Sequence, residues 1–151
     1  NLKETIFPVL EKFHVPPNMI SLEITEGTAI RAPELMLRHM RELGKAGITF
    51  ALDDYGTGNA NCSYLIRFPF GKIKIDKDIL WAYFEKKSAR IILQNEISTM
   101  KQLGLPVIVE GVENQEQRDE MERLGVDYIQ GYYYGRPMPE MECLRFIRRN
   151  L

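Results

Sequence analysis

The chain has 151 residues, of which 44% are hydrophobic and 27% are charged, and its formal net charge is −1. This length and composition predict one globular domain, or part of one, with enough apolar residues for a sizeable core. The nearly neutral charge argues against a DNA or RNA polymer as partner, because proteins that bind nucleic acids neutralise phosphates with basic patches.

Five short apolar runs alternate along the chain with segments of helical periodicity. The runs are rich in Ile, Val and Phe, and most are continuously apolar, as buried parallel strands are. This alternation predicts an α/β fold with a parallel sheet, which is either an open doubly wound sheet or part of a (β/α)8 barrel. The predicted strands cover residues 20–25, 48–53, 72–76, 106–110 and 128–131.

The segments between the strands carry helix start and stop signals. Ser88 is expected to cap one helix, and Asn114, with Gln117 three residues later, forms a capping box for the next. The predicted helices cover residues 33–44, 88–104, 114–125 and 140–150. We expect the inward positions of the second and fourth helices to be Ile92, Ile97, Met100 and Leu103, and Cys143, Leu144 and Ile147, respectively.

Every predicted strand ends in a polar or charged group. The carboxyl ends of barrel strands converge on one mouth, where catalytic groups gather, whereas an open sheet spreads them along a line. Convergence of the polar groups therefore favours the barrel. The groups are Glu23 and Glu26, Asp53 and Asp54, Lys74 and Asp76, Glu110 and Glu113, and Gln130.

The adjacent carboxylates Asp53 and Asp54 end the second run, directly before a glycine-rich turn. Like charges this close resist ionisation unless a cation or hydrogen-bond donors compensate them, and a divalent metal would do so. Aspartate before glycine is also common turn chemistry, in which the carboxylate accepts from backbone amides. The pair alone leaves both interpretations open.

Glu23 and Lys74 are charged residues inside apolar strands. A glutamate in such a position is rarely buried unless it is paired or ligated, which makes Glu23 a candidate metal ligand. Lys74 either forms a buried ion pair with an aspartate or binds a phosphate oxygen and orients a water, and the two roles are compatible. Glu26, viewed alone, is a candidate helix cap.

Glu110 and Gln130 lie at the ends of the last two predicted strands. Glu110 precedes Gly111 and is a candidate second-metal ligand or general base. Gln130 both donates and accepts hydrogen bonds, which suits recognition of a base edge or of an attacking water. An oxygen-rich set of this kind favours Mg²⁺ or Mn²⁺ over Zn²⁺.

With these positions in place, the chain resembles the EAL domain, the bacterial cyclic di-GMP phosphodiesterase, over essentially all of its residues. The resemblance rests on several ordered motifs at similar spacing. They are Glu-Ile-Thr-Glu at 23–26, Leu-Asp-Asp-Tyr-Gly-Thr-Gly at 52–58, Lys-Ile-Asp at 74–76, Glu-Gly-Val-Glu at 110–113 and Gln-Gly-Tyr at 130–132.

The resemblance implies a (β/α)8 barrel that hydrolyses cyclic di-GMP to pGpG with two metals. It implies that Glu23 and Asp53 bind the first metal, with Asp53 shared with the second. Asp54 and Glu110 then bind the second metal or water, and Glu110 is the general-base candidate.

The resemblance also implies roles for residues beyond the metal ligands. Lys74 is expected to position the attacking water, and Gln130 to lie near the substrate and that water. Glu26 and Glu113 are expected to support the loop after the second strand.

The chain departs from the EAL pattern in what it lacks. The signature Glu-Ala-Leu stretch and an upstream asparagine ligand are absent, so residues 1–151 are expected to be the C-terminal portion of one EAL domain, with barrel strands four to eight and no second domain. We expect this segment alone to lack turnover and to self-associate, as a homodimer for example, because five strands leave sheet edges uncovered. A helix around residues 3–13 precedes the first strand.

Two other functions remain as alternatives. One is a non-catalytic EAL module that binds cyclic di-GMP and relays a signal; the other is a different magnesium barrel enzyme of the enolase-like kind, which the Asp53–Asp54 pair fits poorly. The resemblance further implies a sensory or GGDEF domain elsewhere in the full-length protein.

The cysteines and the hydropathy predict the cellular setting. Cys62 and Cys143 lie far apart without a CxxC partner, which favours reduced thiols and a cytoplasmic protein. No apolar run reaches the length of a membrane span, so we expect no membrane contact from this segment, although the parent protein can still carry an anchor. The chain begins with Asn1 rather than Met, which indicates that an upstream part is missing.

Overall fold

The computed structural model of the chain describes residues 2–56 and 63–150, except for the side chains of residues 26, 29, 30, 63 and 150. The strands are β1 Ser21–Thr25, β2 Thr49–Tyr55, β3 Lys72–Ile75, β4 Val107–Val109 and β5 Tyr128–Ile129. The helices are α1 Leu2–Lys12, α2 Glu26–Arg31, α3 Pro33–Gly44, α4 Ser63–Arg67, α5 Lys77–Glu85, α6 Lys87–Gln102, α7 Gln115–Leu124 and α8 Glu140–Asn150, and a short 3-10 helix covers Pro17–Met19.

All five strands are parallel and are ordered β1-β2-β3-β4-β5, each beside the next along the chain. A doubly wound sheet reverses its strand order at a switch point, whereas a barrel adds its strands consecutively. The observed order is therefore that of a barrel segment. Each strand falls within or beside an apolar run, which confirms the predicted α/β fold.

The two faces of the sheet differ in character. One face is packed under the helices and forms the core, with Ile24, Leu52, Ile73, Ile75, Val107 and Val109 all buried. The opposite face carries the polar residues, because Glu23 pairs in register with Ala51, Ala51 with Lys72, and Lys74 with Ile108. Side chains alternate along a strand, so Asp53 and Lys74 share this polar face with Glu23.

The start of α6 differs from the prediction. The helix begins at Lys87 with Lys86 at the cap position, so Ser88 is not its cap. Lys86 has an extended backbone (φ −127°, ψ 128°) and separates α5 from α6. The position of this junction determines which side of α6 faces the core. The buried residues of α6 are Leu93, Ile97 and Met100. The predicted inward positions of Ile92 and Leu103 are therefore wrong, and both side chains are more than half exposed.

Helix α8 packs more loosely than its sequence predicts. Cys143 is half-buried, but Leu144 and Ile147 are 41% and 43% exposed, so their predicted inward positions are wrong. The helix lines one cavity together with β5, which is an outer strand of the sheet. Its inner side borders a cavity of about 740 Å³ that β5 and residues 131–138 also line.

Helix α7 has the predicted cap. The Asn114 side chain accepts from the Gln117 N–H at 3.0 Å, and Gln117 Oε1 accepts from the Glu113 N–H at 2.7 Å. Gly125 ends the helix with a left-handed φ of 73°. Within residues 2–56 and 63–150, no helix is long and apolar enough to cross a membrane.

Candidate functional site

The second strand carries a bulge at the aspartate pair. Its register with β3 shifts between Leu52 and Tyr55, and Asp54 has a positive φ of 55°. In a regular strand, neighbouring side chains point to opposite faces, so Asp53 and Asp54 would diverge. A bulge re-aims a side chain, and here it allows both carboxylates to lie at the same end of the sheet.

Asp53, Asp54 and Glu110 form a carboxylate cluster. One oxygen from each lies within 4.8 Å of the other two, and all three side chains are half-buried. Each residue comes from the carboxyl end of its strand, β2 for the aspartates and β4 for Glu110. Oxygen donors at this separation fit a hard divalent cation such as Mg²⁺ or Mn²⁺. Sequence reasoning placed these three residues together, and the structure brings them together.

Lys74 joins this cluster to Glu23. Its Nζ lies 2.8 Å from Asp53 Oδ1, 2.9 Å from Glu110 Oε1 and 3.0 Å from Glu23 Oε1. The lysine is 5% exposed, so the expectation of a buried ion pair with an aspartate is confirmed, with two glutamates added. Burial opposes its charge, but hydrogen bonds to the three carboxylates outweigh burial and raise the pKa of Lys74. The lysine is therefore a fixed cation at neutral pH.

The surroundings of the Asp54 carboxyl disfavour its ionised form. Burial raises its pKa above the ordinary value, and the charges of Asp53 and Asp76 raise it further. Lys74 acts in the opposite direction without cancelling these effects. A second positive charge beside Asp54 would stabilise its ionised form.

The remaining candidates are Gln130, Glu113 and Glu26. Gln130 follows β5, where its N–H donates to the Val109 carbonyl and its side chain borders the cavity of about 740 Å³. Glu113 is exposed next to the start of α7. Glu26 begins α2, but its side chain lies outside the described residues, so its predicted role in supporting the loop is not visible.

Two residues take part in the site in ways that the sequence pattern did not indicate. Asp76 caps α5, with Oδ1 accepting from the Asp78 N–H at 2.8 Å, and its charge also acts on Asp54. Trp81 donates from Nε1 to the carbonyl of Gly111, the residue after Glu110. The tryptophan gave no signal in the sequence because it lies on a helix far from Gly111 along the chain.

A parallel sheet in barrel order with a carboxylate cluster at its carboxyl end defines a segment of a (β/α)8 barrel with an acidic site. The family model described as the EAL domain matches residues 2–137. The chain therefore belongs to the EAL domain family.

Relatives and solved structures agree with this family and with the fold. Cyclic di-GMP phosphodiesterase RocR of Pseudomonas aeruginosa is 35% identical over 145 residues, which cover 96% of this chain and 37% of RocR. The solved c-di-GMP complex of the PaMucR phosphodiesterase has a TM-score of 0.87 and 30% identity, and the match covers 94% of this chain and 57% of that one.

A manganese and cyclic di-GMP complex of Klebsiella pneumoniae BlrP1 has a TM-score of 0.82 and 27% identity, over 89% of this chain and 34% of that one. These structural similarities, together with the consecutive order of the parallel strands, confirm the predicted incomplete barrel. The chain spans little more than a third of the length of RocR.

Proposed function

We propose that the protein containing this segment hydrolyses one phosphodiester bond of cyclic di-GMP to give pGpG. The observation that carries the proposal is the cluster of Asp53, Asp54 and Glu110 held around Lys74 at the carboxyl end of the sheet. The similarity to a named cyclic di-GMP phosphodiesterase and to a phosphodiesterase solved with c-di-GMP supports this substrate.

Two metal ions, Mg²⁺ or Mn²⁺, complete the proposed site. Glu23 and Asp53 would hold the first, and Asp53, Asp54 and Glu110 would hold the second, since their donor set is made of carboxylate oxygens alone. When bound, the metals would supply stabilisation of the negative charge that develops on the phosphate and leaving oxygens. The manganese complex of the similar BlrP1 supports this choice of metal.

The chain's own residues supply the remaining functions. Lys74 is a permanent donor, because its raised pKa keeps it charged, and it would hold the attacking water by a hydrogen bond. Glu110, 2.9 Å from Lys74, would accept the proton from that water. Gln130 would orient the substrate or the water, and Glu26 and Glu113 would support the loop after β2.

The test is hydrolysis of cyclic di-GMP by the full-length protein with Mg²⁺ or Mn²⁺, compared with its Asp53→Asn variant. We expect pGpG from the wild type and at least a hundredfold lower rate from the variant, which keeps the side-chain shape but loses the charge shared by Lys74 and the metals. Tight binding of cyclic di-GMP without turnover by the wild type would instead identify a receptor module and contradict the proposal.

We also propose how this segment fits into the protein that contains it. Residues 1–151 would form the C-terminal portion of one EAL domain, in a cytoplasmic protein that also carries a sensory or GGDEF domain. Self-association of the segment alone as a homodimer would cover exposed sheet edge and apolar surface. Light scattering after size-exclusion chromatography of residues 1–151 tests this, and a well-folded monomer at micromolar concentration would rule the homodimer out.

A further inference from the structure

We propose that Trp81 is a positioning residue for Glu110, acting through a hydrogen bond to the backbone of the turn that carries this glutamate. The inference rests on the proposed function, in which Glu110 binds metal or accepts a proton. Trp81 lies on α5. Its hydrogen bond to Gly111 and its cation–π contact with Lys77 both lie outside the carboxylate cluster.

The turn after Glu110 packs directly on the first turn of α5. Gly111 has a left-handed φ of 76°, and a Cβ added there would lie 2.3 Å from Lys77 Cβ. Only glycine fits such a close approach with this backbone. The turn and the helix are therefore in contact at the position immediately after the glutamate.

Trp81 adds a directional bond to this contact. It lies four residues after Lys77 and so on the same face of α5, and its Nε1 donates to the Gly111 carbonyl at 3.1 Å. The Lys77 Nζ lies 5.4 Å from the centre of the Trp81 ring, a cation–π distance that keeps the indole against the helix. The ring is therefore fixed at both its face and its N–H.

These contacts form a continuous series of links from Lys74, through α5, to Glu110. Lys74 on β3 is followed by Asp76, which caps α5, and α5 carries Trp81. Trp81 holds Gly111, and the preceding Glu110 returns to Lys74 at 2.9 Å. The Glu110 N–H also donates to the Ile75 carbonyl of β3 at 3.0 Å, so the sheet holds the amide of the glutamate and the indole bond holds the residue that follows it. The indole bond therefore limits the remaining movement of the turn that carries the Glu110 carboxylate.

The opposite side of the same turn is held by backbone contacts. The Val112 N–H donates to the Gln130 carbonyl at 3.2 Å, and the Tyr133 N–H donates to the Val112 carbonyl at 3.0 Å. The turn is therefore held from two directions, and on the α5 side a side-chain N–H supplies the bond. A substitution at Trp81 changes that bond while leaving the backbone contacts in place.

The chain allows a matched pair of variants in the full-length protein. Trp81→Phe keeps an aromatic ring for Lys77 but removes the donor. Trp81→His keeps the donor, because imidazole Nε2 occupies the place of indole Nε1 in the five-membered ring. Glu85→Gln, an exposed change at the end of α5, serves as the control.

We expect Trp81→Phe to lower kcat for cyclic di-GMP about two- to tenfold, the effect of one neutral hydrogen bond, with KM unchanged. Trp81→His should recover most of that loss, and Glu85→Gln should match the wild type. In the metal-free protein, hydrogen exchange of the amides at 110–113 should be faster in Trp81→Phe than in Trp81→His.

Equal kcat and equal exchange in Trp81→Phe and the wild type would overturn the inference, as would identical losses in the Phe and His variants. If the wild type does not hydrolyse cyclic di-GMP, the proposed function fails separately. Hydrogen exchange and the Mn²⁺ affinity measured from the electron paramagnetic resonance signal of free Mn²⁺ then decide the role of Trp81, with weaker Mn²⁺ binding expected only in the Phe variant.

Discussion

Asp54 joins a left-handed backbone to a carboxyl whose pKa is raised by burial and by neighbouring acids. A positive φ is uncommon for residues other than glycine, and aspartate and asparagine tolerate it best. Strain and charge repulsion at one residue are typical of sites where function outweighs stability. The local cost is offset elsewhere in the fold, mainly by the buried apolar face of the sheet.

The Asp54→Asn variant tests this cost. Asparagine keeps the left-handed backbone and removes the charge, so we expect a more stable metal-free protein at pH 7, by up to about 1 kcal/mol at a partly exposed site. A raised folded-state pKa means that the stabilising contribution of the protonated carboxyl is lost as pH rises above its ordinary value of 3.8. The difference between variant and wild type should therefore disappear at about pH 4 and below.

Thermal unfolding of the full-length protein across this pH range, with and without Mn²⁺, provides the measurement. Added Mn²⁺ should raise the Tm of the wild type more than that of Asp54→Asn, because the ion compensates the carboxylate. A variant that is less stable than the wild type at pH 7 without metal would contradict the assignment of unfavourable charge to Asp54.

At the scale of the elements, α7 shows how directly a local pattern determines structure. Asn114 and Gln117 are close in the chain, and their bonds to backbone N–H groups depend on the first helical turn alone. Gln117 reaches the N–H of Glu113 rather than that of the cap residue, a shift of one position from the usual capping box. The cap therefore also fixes the end of the Glu110–Glu113 segment.

Replacing the cap residue should weaken α7. Asn114→Ala is expected to lower the free energy of unfolding by about 1 kcal/mol, since the Gln117 N–H loses its acceptor, while Asn114→Thr should lose much less. Urea titration of the full-length protein gives both values. Equal stability of the alanine and threonine variants would show that the Asn114 side chain does not cap the helix.

Predictions from the sequence succeeded where neighbouring residues decide the outcome. The five strands follow from continuous apolar runs, and the α7 cap follows from Asn114. The break between α5 and α6 at Lys86 and the exposure of Ile92 depend on how two helices share the surface of the sheet, which no local signal encodes. The bulge at Asp54 was likewise invisible, because it arises from the pairing of β2 with β3.

At the scale of the whole molecule, the site exists only because consecutive parallel strands end at the same edge. Glu23, Asp53, Lys74 and Glu110 come from four successive strand segments, and each lies on the polar face or at its carboxyl end. The polar groups at the ends of successive parallel strands were enough to predict their convergence. Their distances, and the three-way pairing of Lys74, required the fold.

The most direct test of the metal centre is anomalous diffraction from crystals of the full-length protein grown with Mn²⁺ and cyclic di-GMP. We predict two manganese peaks about 4 Å apart, both in contact with Asp53, one also near Glu23 and the other near Asp54 and Glu110. Cyclic di-GMP or pGpG bound at this edge of the sheet without manganese at these carboxylates would contradict this prediction.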